Sequence, residues 1–262
     1  MIELDGAVVI VTGSARGVGA ATAELLAEHG CNVVVNHTKS GEQAEQVADA
    51  CRAAGSEALV CQANVADDAD CRRMADEAMT KWGRIDGLVN NAGTTKFCDH
   101  GDLEGLDASD FQTVLGVNTV GPFQMIRAVA PHMKARGRGV VVNVSSVAGT
   151  QAVGSSLAYV ASKGGLNSMS IALARVLGPE IKVNTVCPGF IEGDWLREGM
   201  GADRYDAVKA HLENATPLRA VNKPADIART IVWLLSDAPN ITGEILTIDA
   251  GMGMLRGGRP AR

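Results

Sequence analysis

The chain has 262 residues, 46% hydrophobic and 21% charged, with 24 Lys and Arg against 30 Asp and Glu for a formal net charge of −6. That length and composition suit one folded α/β domain over residues 1–262. The acidic balance argues against nucleic acid and anionic membrane surfaces as partners, and no stretch approaches the roughly 20 apolar residues that span a bilayer.

The N-terminal Met1-Ile2-Glu3-Leu4-Asp5 has no basic region followed by a long apolar run, so it does not read as a signal peptide. Cysteines at 31, 51, 61, 71, 98 and 187 form no Cys-x-x-Cys and no paired His/Cys spacing. Free thiols in a reducing, cytoplasmic setting are expected, with no metal site.

Seven β-branched runs punctuate the chain: Val8–Val11, Asn32–Asn36, Ala58–Cys61, Gly87–Asn90, Val140–Val144, Lys182–Val186 and Ile245–Ile248. None alternates apolar with polar residues, which predicts strands buried on both faces of a parallel sheet. Helical patterns lie between them, such as Phe111, Val114, Leu115, Pro122, Met125, Ile126, Val129 and Met133, or Leu166, Met169, Leu173, Val176 and Leu177. The alternation implies βαβ units and a doubly wound sheet, with ligands bound beyond the carboxyl ends of the strands.

After the first strand comes Thr12-Gly13-Ser14-Ala15-Arg16-Gly17-Val18-Gly19, then a helix to His29. Glycines at this spacing let backbone approach a pyrophosphate at a helix N-terminus, so Gly13, Ser14, Gly17, Val18 and Gly19 are candidate dinucleotide contacts. The second strand ends Asn36-His37-Thr38-Lys39-Ser40, without the acid that would bond a free ribose 2′-hydroxyl. Arg16, His37, Thr38 and Lys39 suit a 2′-phosphate instead, giving an expected preference for NADP(H), with NAD(H) possible in principle. The alternative is that Arg16 and Lys39 are solvated surface charges. Asn64-Val65 after the third strand could receive adenine or could form an ordinary turn before Asp67-Asp68.

Tyr159-Val160-Ala161-Ser162-Lys163 places Tyr159 and Lys163 on one helix face. A phenol of reference pKa about 10 becomes a usable acid–base when an ammonium lowers that value. The fifth strand ends at Ser145-Ser146, where Ser146 could orient a reacting oxygen and Ser145 reads as a turn residue. Asn118 lies on an apolar stripe four residues before Pro122, which cannot bond back to its carbonyl. A kink is therefore expected, with the freed Asn118 carbonyl linked through water to Lys163; local satisfaction of Asn118 is the alternative.

With these motifs in hand, the chain resembles the short-chain dehydrogenase/reductase superfamily over almost its whole length. Thr12–Gly19 resembles the cofactor loop, Asn90-Asn91-Ala92-Gly93 the sheet-stabilising motif, and Asn118, Ser146, Tyr159 and Lys163 the catalytic tetrad. Pro188-Gly189 resembles the nicotinamide-side motif, and Leu246–Gly251 the last strand and turn. The resemblance implies a Rossmann-like, doubly wound, parallel seven-stranded sheet and hydride transfer at nicotinamide C4. It also implies Tyr159 as acid–base, Ser146 orienting substrate, Lys163 binding the nicotinamide ribose and lowering the tyrosine pKa, cofactor contacts from Asn91, Ala92, Gly93, Tyr159, Lys163, Pro188, Gly189 and Ile191, and a homo-oligomer, either tetramer or dimer. Bacterial 3-oxoacyl-acyl-carrier-protein reductases and secondary-alcohol or sugar dehydrogenases are the nearest in pattern, which implies a small carbonyl or alcohol substrate. Two departures stand out: Gly193-Asp194 replaces a common Thr that anchors the carboxamide, and Ala250 stands where Gly is common.

Glu192–Asn214 reads as a helical lid, with Thr94–His100 and Gln151–Ser156 as the other walls and residues 256–262 as a tail. His29, His132 and His211 read as bland, and Cys98 and His100 as minor candidates for substrate contact. Arg127, Lys134, Arg136 and Arg138 are a candidate docking face for an acidic carrier protein, or simply a solvated face. A non-catalytic cofactor-binding regulator is the main alternative of another class, which the intact tetrad opposes; a nucleotide-sugar epimerase would need a larger C-terminal region. The helices starting near Ser109 and Leu157 fit dimerisation.

Overall fold

The computed structural model describes residues 1–255; the expected tail over 256–262 lies outside the described residues. Seven strands form one parallel sheet in the order β3-β2-β1-β4-β5-β6-β7. They are β1 (Val8–Val11), β2 (Asn32–His37), β3 (Ala58–Gln62), β4 (Gly87–Asn90), β5 (Gly139–Val144), β6 (Ile181–Pro188) and β7 (Ile245–Ile248). All seven expected strands are present, with ends shifted by at most two residues.

The absence of alternation in these runs has a direct cause. Val9 and Val11 of β1 face one apolar layer while Ile10 faces the other, so each successive position meets a helix. One layer is covered by α1 (Gly17–Glu28), α2 (Gly41–Ala53) and α10 (Pro224–Ser236), whose Leu26, Val47, Ile227 and Ile231 share a cluster with Val33 and Val142. The other is covered by α3 (Asp68–Trp82), α5 (Gly121–Ala135) and α7 (Leu157–Leu177), through Met74, Met125, Val129 and Leu177.

The sheet order reverses between β1 and β4, which opens a crevice at their carboxyl ends. Short elements crowd that edge: α4 (Ala108–Leu115), the one-turn α6 (Ala148–Gln151), α8 (Asp194–Met200) and α9 (Ala202–Ala215).

The expected kink before Pro122 takes another form. Residues Gly116–Val120 make one wide turn in which the Gly121 N–H donates to the Gly116 carbonyl, five residues back. The chain then continues as α5 with Pro122 in its first turn, where a missing N–H costs least.

Candidate active site

A cavity of about 1470 Å³ occupies the carboxyl edge of the sheet. The phosphate loop forms one end. Gly13 and Gly17 both have φ of +61°, and no atom lies within 4 Å of where a Cβ on Gly17 would stand. Gly17 therefore leaves the α1 N-terminus open to the cavity, and Arg16 before it makes no side-chain cap. An unshielded helix N-terminus in a glycine cradle has the shape and polarity that a pyrophosphate requires.

The loop is braced from below by side chains that motif reading passed over. Asn36, which is buried, accepts from the Gly13 N–H at 2.9 Å and donates to the carbonyls of Cys61 at 3.2 Å and Ala63 at 3.0 Å. The Thr12 hydroxyl accepts from the N–H groups of Asn91 and Ala92, each at 3.0 Å. The only clue to Asn36 was a polar residue closing an apolar run.

Two expected cofactor contacts are corrected. The Ser14 hydroxyl donates to the Val11 carbonyl at 2.7 Å and accepts from the Asn36 N–H at 2.9 Å, and the residue is fully buried. Gly19 also lies behind the loop, where a Cβ would meet the Asn91 amide nitrogen and the Gly13 carbonyl at 2.5 Å. It permits close packing of α1 rather than ligand contact. The Asn91 side chain is spent on the Thr12 and Gly13 carbonyls, both at 2.9 Å, so it holds the loop while lining the cavity.

Arg16, Val18, His37, Thr38, Lys39, Asn64 and Val65 line the same end, as do Ala92 and Gly93 further in. His37 keeps a buried Nδ1 without a hydrogen-bond partner. Arg16 lies 3.7 Å from Glu198 of α8, both well exposed. Asn64 accepts from the Ala66 N–H at 3.1 Å, the turn anticipated as its alternative role, while Asp67 caps α3.

The second end is built on α7. Ser156 caps that helix by accepting from the Tyr159 N–H at 3.2 Å. Asn90 donates to Asn143 at 2.9 Å and Asn143 to Ser170 at 2.8 Å, which ties α7 to β4 and β5 through buried side chains. Tyr159 and Lys163 thereby face the cavity together with Ser146, Pro188, Gly189 and Ile191. Ser145 also lines the cavity, but its hydroxyl donates to the Lys163 carbonyl at 3.3 Å.

The Lys163 ammonium stands 5.6 Å from the Tyr159 ring centroid and donates to the Val144 carbonyl at 2.8 Å. Burial pulls the Lys163 ammonium down to about 8. Burial pushes the Tyr159 phenol up to about 12, against the hydrogen bond from Ser146 that holds it down. The expected lowering by the neighbouring ammonium is not found: Ser146, not Lys163, is what opposes burial at the phenol. A protonated phenol at this position can donate to a carbonyl oxygen.

Asn118 is satisfied locally. Its amide oxygen accepts from the Thr94 N–H at 2.8 Å, and its nitrogen donates to the Thr94 carbonyl at 2.9 Å and the Ser162 hydroxyl at 3.0 Å. Ser162 in turn donates to the Tyr159 carbonyl at 2.8 Å. The Asn118 side chain therefore braces the loop after β4 against α7.

The remaining wall comprises Trp195, Leu196, Met200 and Leu212 from α8 and α9, facing Phe97, Cys98 and His100 from one loop and Val153 from another. Gly193 adopts φ +151°, and its N–H donates to the Tyr205 hydroxyl at 3.2 Å, so this departure serves the turn into α8. The expected carrier-docking cations are placed elsewhere. Arg136 pairs with Asp86 at 3.4 Å, at the amino end of β4, and Arg127 pairs with Asp68. None of Arg127, Lys134, Arg136 and Arg138 lines the cavity.

Comparison with known proteins agrees with this layout. A family described as enoyl-(acyl carrier protein) reductase matches residues 13–253. The chain is 39% identical to a Streptomyces violaceoruber protein carrying the name ketoacyl reductase 2 of the granaticin polyketide synthase, over 96% of this chain and 98% of the relative. This chain belongs to the short-chain dehydrogenase/reductase family. It is also 36% identical to the Staphylococcus epidermidis 3-oxoacyl-[acyl-carrier-protein] reductase FabG, over 94% of this chain and 98% of that protein. A Burkholderia xenovorans structure described as a short-chain dehydrogenase/reductase superposes with TM-score 0.88 at 37% identity, covering 95% and 98% of the two chains. An NAD⁺-bound xylitol dehydrogenase superposes with TM-score 0.87 at 27% identity, covering 95% and 100%. The protein is an oxidoreductase acting on CH–OH groups or the corresponding carbonyls. No helix among the described residues is long and apolar enough to cross a membrane.

Proposed function

We propose that the chain is an NADP(H)-dependent ketone or 3-oxoacyl reductase. The observation that carries this reading is one cavity in which Ser146, Tyr159 and Lys163 meet the glycine cradle and Arg16. Reduced nicotinamide supplies the hydride when bound. Tyr159 donates its proton to the carbonyl oxygen, Ser146 orients that oxygen, and the Lys163 ammonium stabilises the phenolate left behind. Asn118 positions Tyr159 through Ser162.

Arg16, Lys39, Thr38 and His37 receive the 2′-phosphate, and no carboxylate stands at the end of β2 to prefer a free ribose hydroxyl. The six cysteines are unpaired, which suits a reducing cytoplasm. Exposed Val120, Phe123 and Val176, next to or on α5 and α7, suit a homo-oligomer.

Titration with NADPH and NADH, followed by nucleotide fluorescence, tests the cofactor side. NADPH should bind more tightly, and Arg16→Ala should weaken NADPH about tenfold, or 1.4 kcal/mol, while leaving NADH unchanged. Equal loss for both nucleotides would remove Arg16 from the 2′-phosphate site. Supplying a 3-oxoacyl and a 2-enoyl thioester with NADPH then tests the reaction: consumption of the enoyl compound alone would overturn carbonyl reduction.

A further inference from the structure

Aromatic side chains are scarce in this chain and gather in one place. Of three Trp, two Tyr and four Phe residues, Phe97, Tyr159, Phe190 and Trp195 line the cavity. Tyr205 packs on Phe190 with 5.3 Å between ring centroids. Trp195 is the centre of a series: its ring lies 6.0 Å from Phe97 and 6.1 Å from Tyr159, tilted by 57° and 48°. These are the separations at which aromatic rings attract one another.

The seat of Phe97 is shaped for it. A Cβ on Gly199 would lie 1.9 Å from the Phe97 ring, so Gly199 is the notch in α8 that admits it. Phe97 in turn abuts Trp195, which remains 36% exposed at the cavity wall. An indole left in contact with water beside the reacting phenol has apolar surface available to a ligand. Charges of both signs line the cavity, Asp99 and Asp194 with Lys39 and Arg204 among them, and Lys96 outside it is paired to Asp110 at 2.7 Å.

We infer that the substrate is a ketone whose carbonyl is attached to a flat aromatic or conjugated ring, and that this ring lies against Trp195 and Phe97. The inference rests on the reading of Tyr159 as proton donor. Hydride from the reduced nicotinamide attacks the carbonyl carbon, the C=O π pair moves to oxygen, and that oxygen takes the Tyr159 proton. The nicotinamide is oxidised and a secondary alcohol leaves.

The test uses the purified full chain with NADPH, comparing α-tetralone with an open-chain dialkyl ketone of the same carbon count. The wild-type chain should favour α-tetralone by about tenfold in kcat/KM. Trp195→Ala should remove that preference mainly through KM, lowering kcat/KM about tenfold more for α-tetralone than for the dialkyl ketone, and Trp195→Phe should restore most of it. Unchanged NADPH affinity in both variants shows that the cofactor end is intact. Preference for the dialkyl ketone, or equal loss on both ketones in Trp195→Ala, overturns the substrate class while leaving the reductase reading in place. Reduction of neither ketone, with NADPH still bound, overturns the substrate class, and the 3-oxoacyl thioester assay then decides the reductase reading.

Discussion

The phosphate loop and the α8–α9 wall face each other across one cavity, yet they are held by different means. The loop hangs from strand ends through buried polar groups: Asn36 alone satisfies three backbone groups, and Thr12 and Asn91 satisfy four more. The wall is held by rings and by exposed ion pairs, Arg197 with Asp206 and Lys209 with Glu192 among them. Buried polar networks lose full desolvation energies when one partner goes, whereas exposed pairs lose little. The cofactor end should therefore be stiff and intolerant, and the substrate end adaptable.

Tyr159 stands at the seam, and the largest expected effect is there. Tyr159→Phe removes one oxygen, and general-acid catalysis is worth about 10²–10⁴-fold in rate. Turnover should fall by that amount while the NADPH titration stays unchanged, because the phenol makes no contact with the loop. A variant that keeps its rate would end the role of Tyr159; one that loses NADPH would mean that the two ends are not separable.

Asn36→Ala attacks the stiff end without touching the chemistry. It leaves the Gly13 N–H and the Cys61 and Ala63 carbonyls without their partner, at a cost of about 1–3 kcal/mol. For a chain near this size that is a fall in Tm of roughly 3–10 °C, accompanied by weaker NADPH binding. A thermal scan with and without NADPH checks both. An unshifted Tm would show that the loop is held by its glycines alone.

These contrasts explain which parts could be read in advance. The seven runs and the phosphate loop were legible because strands buried on both faces and glycines at a turn leave few alternatives. Ser146, Tyr159 and Lys163 were legible from strand-end position and i,i+4 spacing. The bracing was not: Ser14 and Gly19 belong to the loop motif but point away from the cavity, and only three dimensions separate a residue that touches a ligand from one that supports its neighbour. Nor could spacing reveal that Pro122 would be absorbed by a wide turn, since proline excludes one hydrogen bond without specifying the replacement. The charge on the Tyr159 phenol depends on burial, which sequence does not quantify. Phe97 and Trp195 lie far apart in sequence and meet only because Gly199 leaves room.

The seam also has a pH signature. Lys163 loses its proton as pH rises through about 8, well before the phenol near 12. Reduction needs the ammonium to stabilise the phenolate that proton donation creates. Its kcat/KM should be flat below about pH 8 and then fall, approaching tenfold per unit for a one-proton loss. A pre-steady-state or kcat/KM profile with NADPH measures this. A break near 10 instead would place the controlling proton on a solvated group.

The smallest effect belongs to the adaptable end, and it decides whether the comparison holds. Arg197 makes a two-pronged contact with Asp206 at 2.9 and 3.0 Å and lies 5.1 Å from the Tyr205 ring. That geometry is good, but both charges are largely in water, where such a pair is worth about 0.2–1 kcal/mol. Arg197→Ala should therefore shift Tm by roughly 1–3 °C, and salt at about 1 M, where the Debye length is near 3 Å, should erase most of the difference from wild type. Asn36→Ala should keep its deficit in the same salt, since its lost bonds are buried and uncharged. If Arg197→Ala cost as much as Asn36→Ala, and salt left that cost intact, the α8–α9 wall would be as rigidly built as the loop, and the aromatic surface of Trp195 would be a fixed mould for its ligand.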